Sequence, residues 1–118
     1  MRRKSFIERT KSSLLSGFYA VIILALIARY GPIYGYRIMK MIGEKSSGFF
    51  NPSESTIYTI LGAMEKEGII ESFWALAGEK VPRKYYKLSD EGKEVLSELV
   101  EHVDRFLKAL NDILKGEE

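Results

Sequence analysis

Pro52-Ser53-Glu54-Ser55-Thr56-Ile57-Tyr58-Thr59-Ile60-Leu61-Gly62-Ala63-Met64-Glu65-Lys66-Glu67-Gly68 is the stretch on which the fold turns. Pro52 and Ser53 can start a helix, because a serine oxygen at the N-cap accepts a backbone N–H that would otherwise be orphaned. Gly68 can end it. Between them Ile57, Ile60, Leu61 and Met64 recur at i, i+3, i+4 and i+7, one apolar stripe on one helix face. A residue advances about 100° around a helix, so Ser55, Thr59, Gly62 and Lys66 fall opposite the stripe. The spacing predicts a helix over 53–67 with an aliphatic inner face. Its outer face carries no long apolar side chain.

The flanks extend the pattern in both directions. Upstream, residues 43–52 hold Ser46-Ser47-Gly48 and Asn51-Pro52, the composition of a loop. Before it a helix over 34–44 is expected, with Ile38, Met41 and Ile42 inward and Arg37 and Lys40 on other faces. A first helix over 12–29 stops at Gly31-Pro32. Downstream, two runs rich in β-branched and aromatic residues, 69–76 and 83–88, flank Ala77-Gly78-Glu79-Lys80-Val81-Pro82. They predict a hairpin with a loop longer than two residues. Ser89 can cap a final helix that runs to about residue 115.

Three helices, a hairpin and a long helix form the outline of a winged helix-turn-helix. The expected fold is mainly α with a small β-hairpin. Residues 1–88 make the winged unit, with the wing at 69–88, and residues 89–118 make a separate C-terminal helix.

In that arrangement the helix over 53–67 enters the major groove of DNA, and small polar groups on its outer face let it approach base edges. Ser55, Thr59 and Gly62 meet that demand, and Thr56 and Tyr58 flank them. Lys66 is placed to reach a phosphate, and Ser53 with the first-turn N–H groups makes an anion site. On the hairpin, Lys80, Arg83 and Lys84 suit backbone phosphates or the minor groove. The basic start, residues 2–11, reads either as one more electrostatic contact or as a frayed tail. Trp74, beside Phe73, reads as a packing residue.

The last helix reads as a pairing surface. Leu96, Leu99, Val103, Phe106, Leu110 and Ile113 are spaced 3, 4, 3, 4, 3, a heptad seam, and Val100, Leu107 and Leu114 widen it. Such a helix is about 35–40 Å long, more than so small a body covers. A homodimer is expected, with the first helix packed against the last.

Charge sharpens this division. The 118 residues carry 18 basic and 16 acidic side chains, a formal net charge of +2. Residues 1–89 hold 14 basic and 7 acidic groups, or +7; residues 90–118 hold 4 and 9, or −5. A basic body beside an acidic helix fits a nucleic-acid surface with its pairing element held away from it.

Other classes are excluded or disfavoured. With no cysteine there is no disulfide and no thiolate metal site. His102 is the single histidine, which rules out any site needing two. No nucleophile–base set, phosphate loop or convergent carboxylate pair stands out, so neither an enzyme nor a cofactor is expected. A basic start followed by the uncharged residues 12–28 has the outline of a signal or anchor. Its length falls just short of the roughly 18–20 residues of a span. Leu26 occupies a position that cleavage at Ala28 would require to be small, and Arg29-Tyr30-Gly31-Pro32 reads as a helix end. A buried core helix in a cytoplasmic protein is the expectation. The competing functional reading is a winged-helix module that binds another protein.

The sequence resembles the PadR family of transcriptional regulators. Gly31-Pro32-Ile33-Tyr34-Gly35-Tyr36 resembles the family's Gly-Pro-x-Tyr-Gly-Tyr at the start of the second helix. Pro52-Ser53-Glu54-Ser55-Thr56-Ile57-Tyr58 resembles its recognition-helix start. Leu61-x-x-Met64-Glu65-x-Glu67-Gly68 and Pro82-Arg83-Lys84-Tyr85-Tyr86-Lys87-Leu88-Ser89-x-x-Gly92 resemble the stretches that follow. The resemblance spans about residues 14–110. Ser55 stands where the family has a glycine before Thr-Leu-Tyr, so an operator preference does not carry over. The resemblance implies a homodimeric repressor of the short-tailed branch, double-stranded DNA as partner, and Tyr36 among the contacting residues. It also implies a small aromatic or hydrophobic effector; the tryptophan that some relatives use for it on the last helix is missing here.

Overall fold

The computed structural model describes residues 2–116. The elements run α1 (Arg2–Tyr30), β1 (Ile33–Tyr34), α2 (Gly35–Lys45), α3 (Glu54–Lys66), β2 (Ile70–Ala75), β3 (Arg83–Leu88) and α4 (Asp90–Lys115). This is a winged helix-turn-helix with a long C-terminal helix. The strands form one antiparallel sheet in the order β1-β3-β2.

Two features differ from the sequence expectation. The first helix begins at Arg2, not residue 12, so the basic start is helical. Arg, Lys and Glu are good helix formers and nothing in that segment breaks the ladder, so extending an existing helix costs little. Arg9 Nη1 donates to Ser5 Oγ (2.6 Å) and the Thr10 hydroxyl donates to the Phe6 carbonyl (2.8 Å) along it. The hairpin also gains a third strand, because Ile33 and Tyr34 pair with Tyr86 and Tyr85.

The core lies where α1, α2, α3 and the sheet meet. Ile23, Leu24, Ile27, Ile38, Ile57, Leu61 and Ile70 are fully buried there. The predicted stripe of α3 points inward: Ile57, Leu61 and Met64 are buried and Ile60 is half-buried. Gly68 turns the chain out of α3 at φ +76°, a left-handed conformation that glycine adopts without strain. Ser89 caps α4, accepting from the Gly92 N–H (3.0 Å) while its hydroxyl donates to the Ile69 carbonyl (2.9 Å). The start of α4 is thereby tied to the turn that follows α3.

The remainder is extended. The molecule measures 55 × 35 × 25 Å, and α1, with 29 residues, is about 43 Å long. Among the described residues α1 is the one helix long and apolar enough to cross a membrane, with a mean hydropathy of 1.8 over its most apolar window. Its C-terminal half supplies Tyr19, Ile23, Leu24, Leu26 and Ile27 to the buried set. Its N-terminal half leaves Phe6, Ile7 and Leu14 exposed.

Candidate nucleic-acid interface

The outer face of α3 is formed as expected. Ser55, Thr59, Gly62 and Lys66 are all exposed. Ser53 is the N-cap: its Oγ accepts from the Thr56 N–H (3.1 Å) and its hydroxyl donates to Thr56 Oγ1 (3.0 Å). Both hydroxyls are thus engaged in holding the first turn. Glu54 also occupies that turn, a favourable charge at the positive end of the helix dipole.

Tyr58 is exposed and lies across the start of α2. A Cβ on Gly35 would sit 2.6 Å from its ring, so a larger residue there would push the Tyr58 ring aside. Tyr36 follows, exposed, with Lys40 Nζ 6.0 Å from its ring centre. Tyr58 and Gly35 thus meet where α2 and α3 come together, with the exposed Tyr36 next to Gly35 in the chain.

The three basic wing residues have three different surroundings. Lys80 is exposed in the loop between β2 and β3. Arg83 opens β3 and stacks over Tyr34 at 4.9 Å; its Nε is buried with no hydrogen-bond partner among the described residues. Tyr34 donates from its hydroxyl to Glu79 Oε1 (3.3 Å), and burial, followed by the Glu79 charge, pushes its pKa up. Lys84 points to the other side of the strand and pairs with Glu65 of α3 at 3.1 Å.

Glu65 also accepts from the Ser72 hydroxyl of β2. Ser72 and then Lys84 hold its carboxyl below the ordinary carboxylate range, while Glu65 in turn pushes the Lys84 ammonium up. Any stability from the lowered Glu65 value is complete above the ordinary carboxylate range. It is lost as pH falls through the lowered value.

Between α3 and the wing lies an open hollow of about 440 Å³, lined by Tyr58, Gly62, Glu65, Trp74, Lys84 and Tyr86 among others. Trp74 was expected to be a packing residue, yet it is 69% exposed at the rim. It sits opposite Lys84 in the strand register, near the outer end of β2, where the core no longer reaches. The sequence signal was its place one strand-period beyond Ser72, on the face that looks toward α3.

The seam of α4 divides. Leu96, Leu99 and Val103 are half-buried, and the first two pack on the core. Phe106 meets Phe18 of α1 edge-on at 5.8 Å. Leu110 and Ile113 are exposed, as are Val100, Leu107 and Leu114. His102 is exposed, at the edge of the seam. No group of three residues able to hold a metal occurs among the described residues.

Comparison with known proteins places this geometry. Residues 23–98 match the family described as "Transcriptional regulator PadR-like family". A PadR-family transcriptional regulator from Eggerthella lenta superposes with a TM-score of 0.82 at 25% identity, covering 99% of each chain. A transcriptional regulator from Clostridium thermocellum gives 0.79 at 31% identity, covering 88% of this chain and 97% of that one. PadR of Bacillus subtilis, described as a negative transcriptional regulator, is 35% identical over 81 residues, 68% of this chain and 44% of that protein. Its structure in complex with operator DNA gives a TM-score of 0.60 at 32% identity, covering 69% of this chain and 45% of that one.

Proposed function

We propose that this chain, which belongs to the PadR-like family of transcriptional regulators, is a homodimeric repressor that binds a palindromic DNA operator. One observation carries the reading. The outer face of α3 is exposed and built from Ser55, Thr59 and Gly62, beside a wing that carries Lys80, Arg83 and Lys84. The small side chains let α3 approach base edges in the major groove. Tyr36, Tyr58 and Lys66 border that contact, and Ser53 with Thr56 sets the orientation of the helix start. Lys80 and the exposed part of Arg83 engage flanking phosphates.

Two copies pair through α1 and α4. Burying the exposed half of the α4 seam stabilises association by about 1.5–3 kcal/mol per large side chain. The acidic face of α4 is then held away from the duplex. Paired recognition helices one turn apart read half-sites about 34 Å apart. Repression follows from occupying the site that polymerase needs, in the cytoplasm where the DNA is. The Bacillus relative's description as a negative regulator supports that sign. A small aromatic or hydrophobic effector releases the DNA by favouring a dimer geometry in which the two α3 helices no longer match the half-sites.

Retardation of random-sequence duplex DNA across a salt series tests the reading. Binding is expected at low salt with a steep salt dependence. Lys80→Ala with Arg83→Ala should weaken it for every sequence and flatten the salt slope by up to about two units. An absence of retardation at low salt would leave a protein-interaction module as the better description.

A further inference from the structure

Among the described residues, Glu65 provides the only side-chain polar links between α3 and the hairpin. One carboxylate oxygen accepts from Ser72 in β2, and the other pairs with Lys84 in β3 at 3.1 Å. Both wing strands are therefore tied to the recognition helix at one point, between Gly62 and Lys66 of its outer face. The pair is only about a third exposed, with side chains at 35% for Glu65 and 37% for Lys84. Lys84 Nζ also lies 5.8 Å from the centre of the Tyr86 ring. Its charge is engaged within the protein, unlike that of Lys80.

We propose that Glu65 is a positioning residue for DNA binding: with Ser72 and Lys84 it locks the wing at a fixed angle to α3, and Lys84 is a strut and not a phosphate ligand. The proposal rests on the DNA-binding reading above and assigns one of its basic residues a different task. Electrostatics gives it a distinctive sign. A carboxylate on a DNA-facing surface repels phosphate, so removing it should by charge alone tighten binding. A lock predicts the reverse, because an unlocked wing samples geometries that cannot bind and the apparent affinity falls with the competent fraction.

The test uses the full chain with Glu65→Gln, Lys84→Ala and the charge swap Glu65→Lys with Lys84→Glu. For Glu65→Gln, DNA affinity should fall about fivefold despite the added net positive charge, the scale of one partly exposed charge-assisted contact. For Lys84→Ala it should fall similarly with the salt slope unchanged. The swap should restore affinity to within about twofold, since the two sites are coupled. In the free protein, amide exchange in β2 and β3 should quicken in both single variants and slow again in the swap. Tighter binding by Glu65→Gln, or a slope flattened by about one unit in Lys84→Ala, would overturn the proposal. If the wild type fails to bind DNA, the regulator reading falls, and exchange still decides whether the lock exists: unchanged wing exchange in Glu65→Gln removes it.

Discussion

The α2–α3–sheet unit and the α1–α4 pair draw on the same aliphatic and aromatic residues and end in opposite states. In the first, the long aliphatic residues of the α2 and α3 stripes find cover within the chain: Ile38, Met41, Ile42, Ile57, Leu61 and Met64 are buried. In the second, cover runs out along the helices. Leu96 and Leu99 reach the core, Phe106 finds Phe18, and beyond them Ile113 is 81% and Phe6 62% exposed. One region is complete in a single copy. The other leaves large apolar side chains exposed along both helices, among them Phe6, Leu14, Leu107, Ile113 and Leu114. In the proposed dimer the packing of the α3 face is thus set within one copy, while its spacing to a second copy depends on what covers α1 and α4.

Three substitutions break or sharpen that contrast, in falling order of effect. Leu110→Glu with Ile113→Glu strikes the incomplete region at side chains that the monomer does not bury. Each lost apolar contact is worth about 1.5–3 kcal/mol, and two copies lose two each. Sedimentation should show monomers, with the helical circular dichroism signal retained. A persistent dimer would place the interface elsewhere. Leu61→Ala strikes the complete region. A fully buried leucine reduced to alanine should cost about 2–5 kcal/mol in chemical denaturation, and a loss under about 1 kcal/mol would mean the packing around α3 is looser than its burial implies. Ser53→Ala removes the cap of α3 and should cost about 1 kcal/mol, read as a lower melting temperature. Fraying of the first α3 turn should also weaken DNA binding more than the lost stability alone explains.

The legibility of the sequence follows the same division. The α3 stripe, its serine cap and Gly68 were readable because local spacing and local chemistry determine them. The heptad seam was readable for the same reason, although not which half of it the chain itself would cover. The strand at Ile33–Tyr34 escaped because two residues carry no periodicity. The start of α1 escaped because charged helix formers look alike in a tail and in a helix. The ion pair of Lys84 escaped because its partner, Glu65, is remote in sequence and brought near only by the hairpin. On composition, Lys80, Arg83 and Lys84 formed one basic cluster. In the fold they are an exposed charge, a half-buried stack on tyrosine and an ion pair.

In the function proposed above, pairing of α1 and α4 sets two α3 faces at a fixed spacing. Selection of bound sites from random duplex DNA, with the stoichiometry of the selected complex measured by sedimentation, tests it most directly. The expected result is an inverted repeat with half-site centres about 10 base pairs apart, occupied by two chains. Recovery of a single asymmetric half-site bound by one chain, or of no enriched sequence, would contradict it.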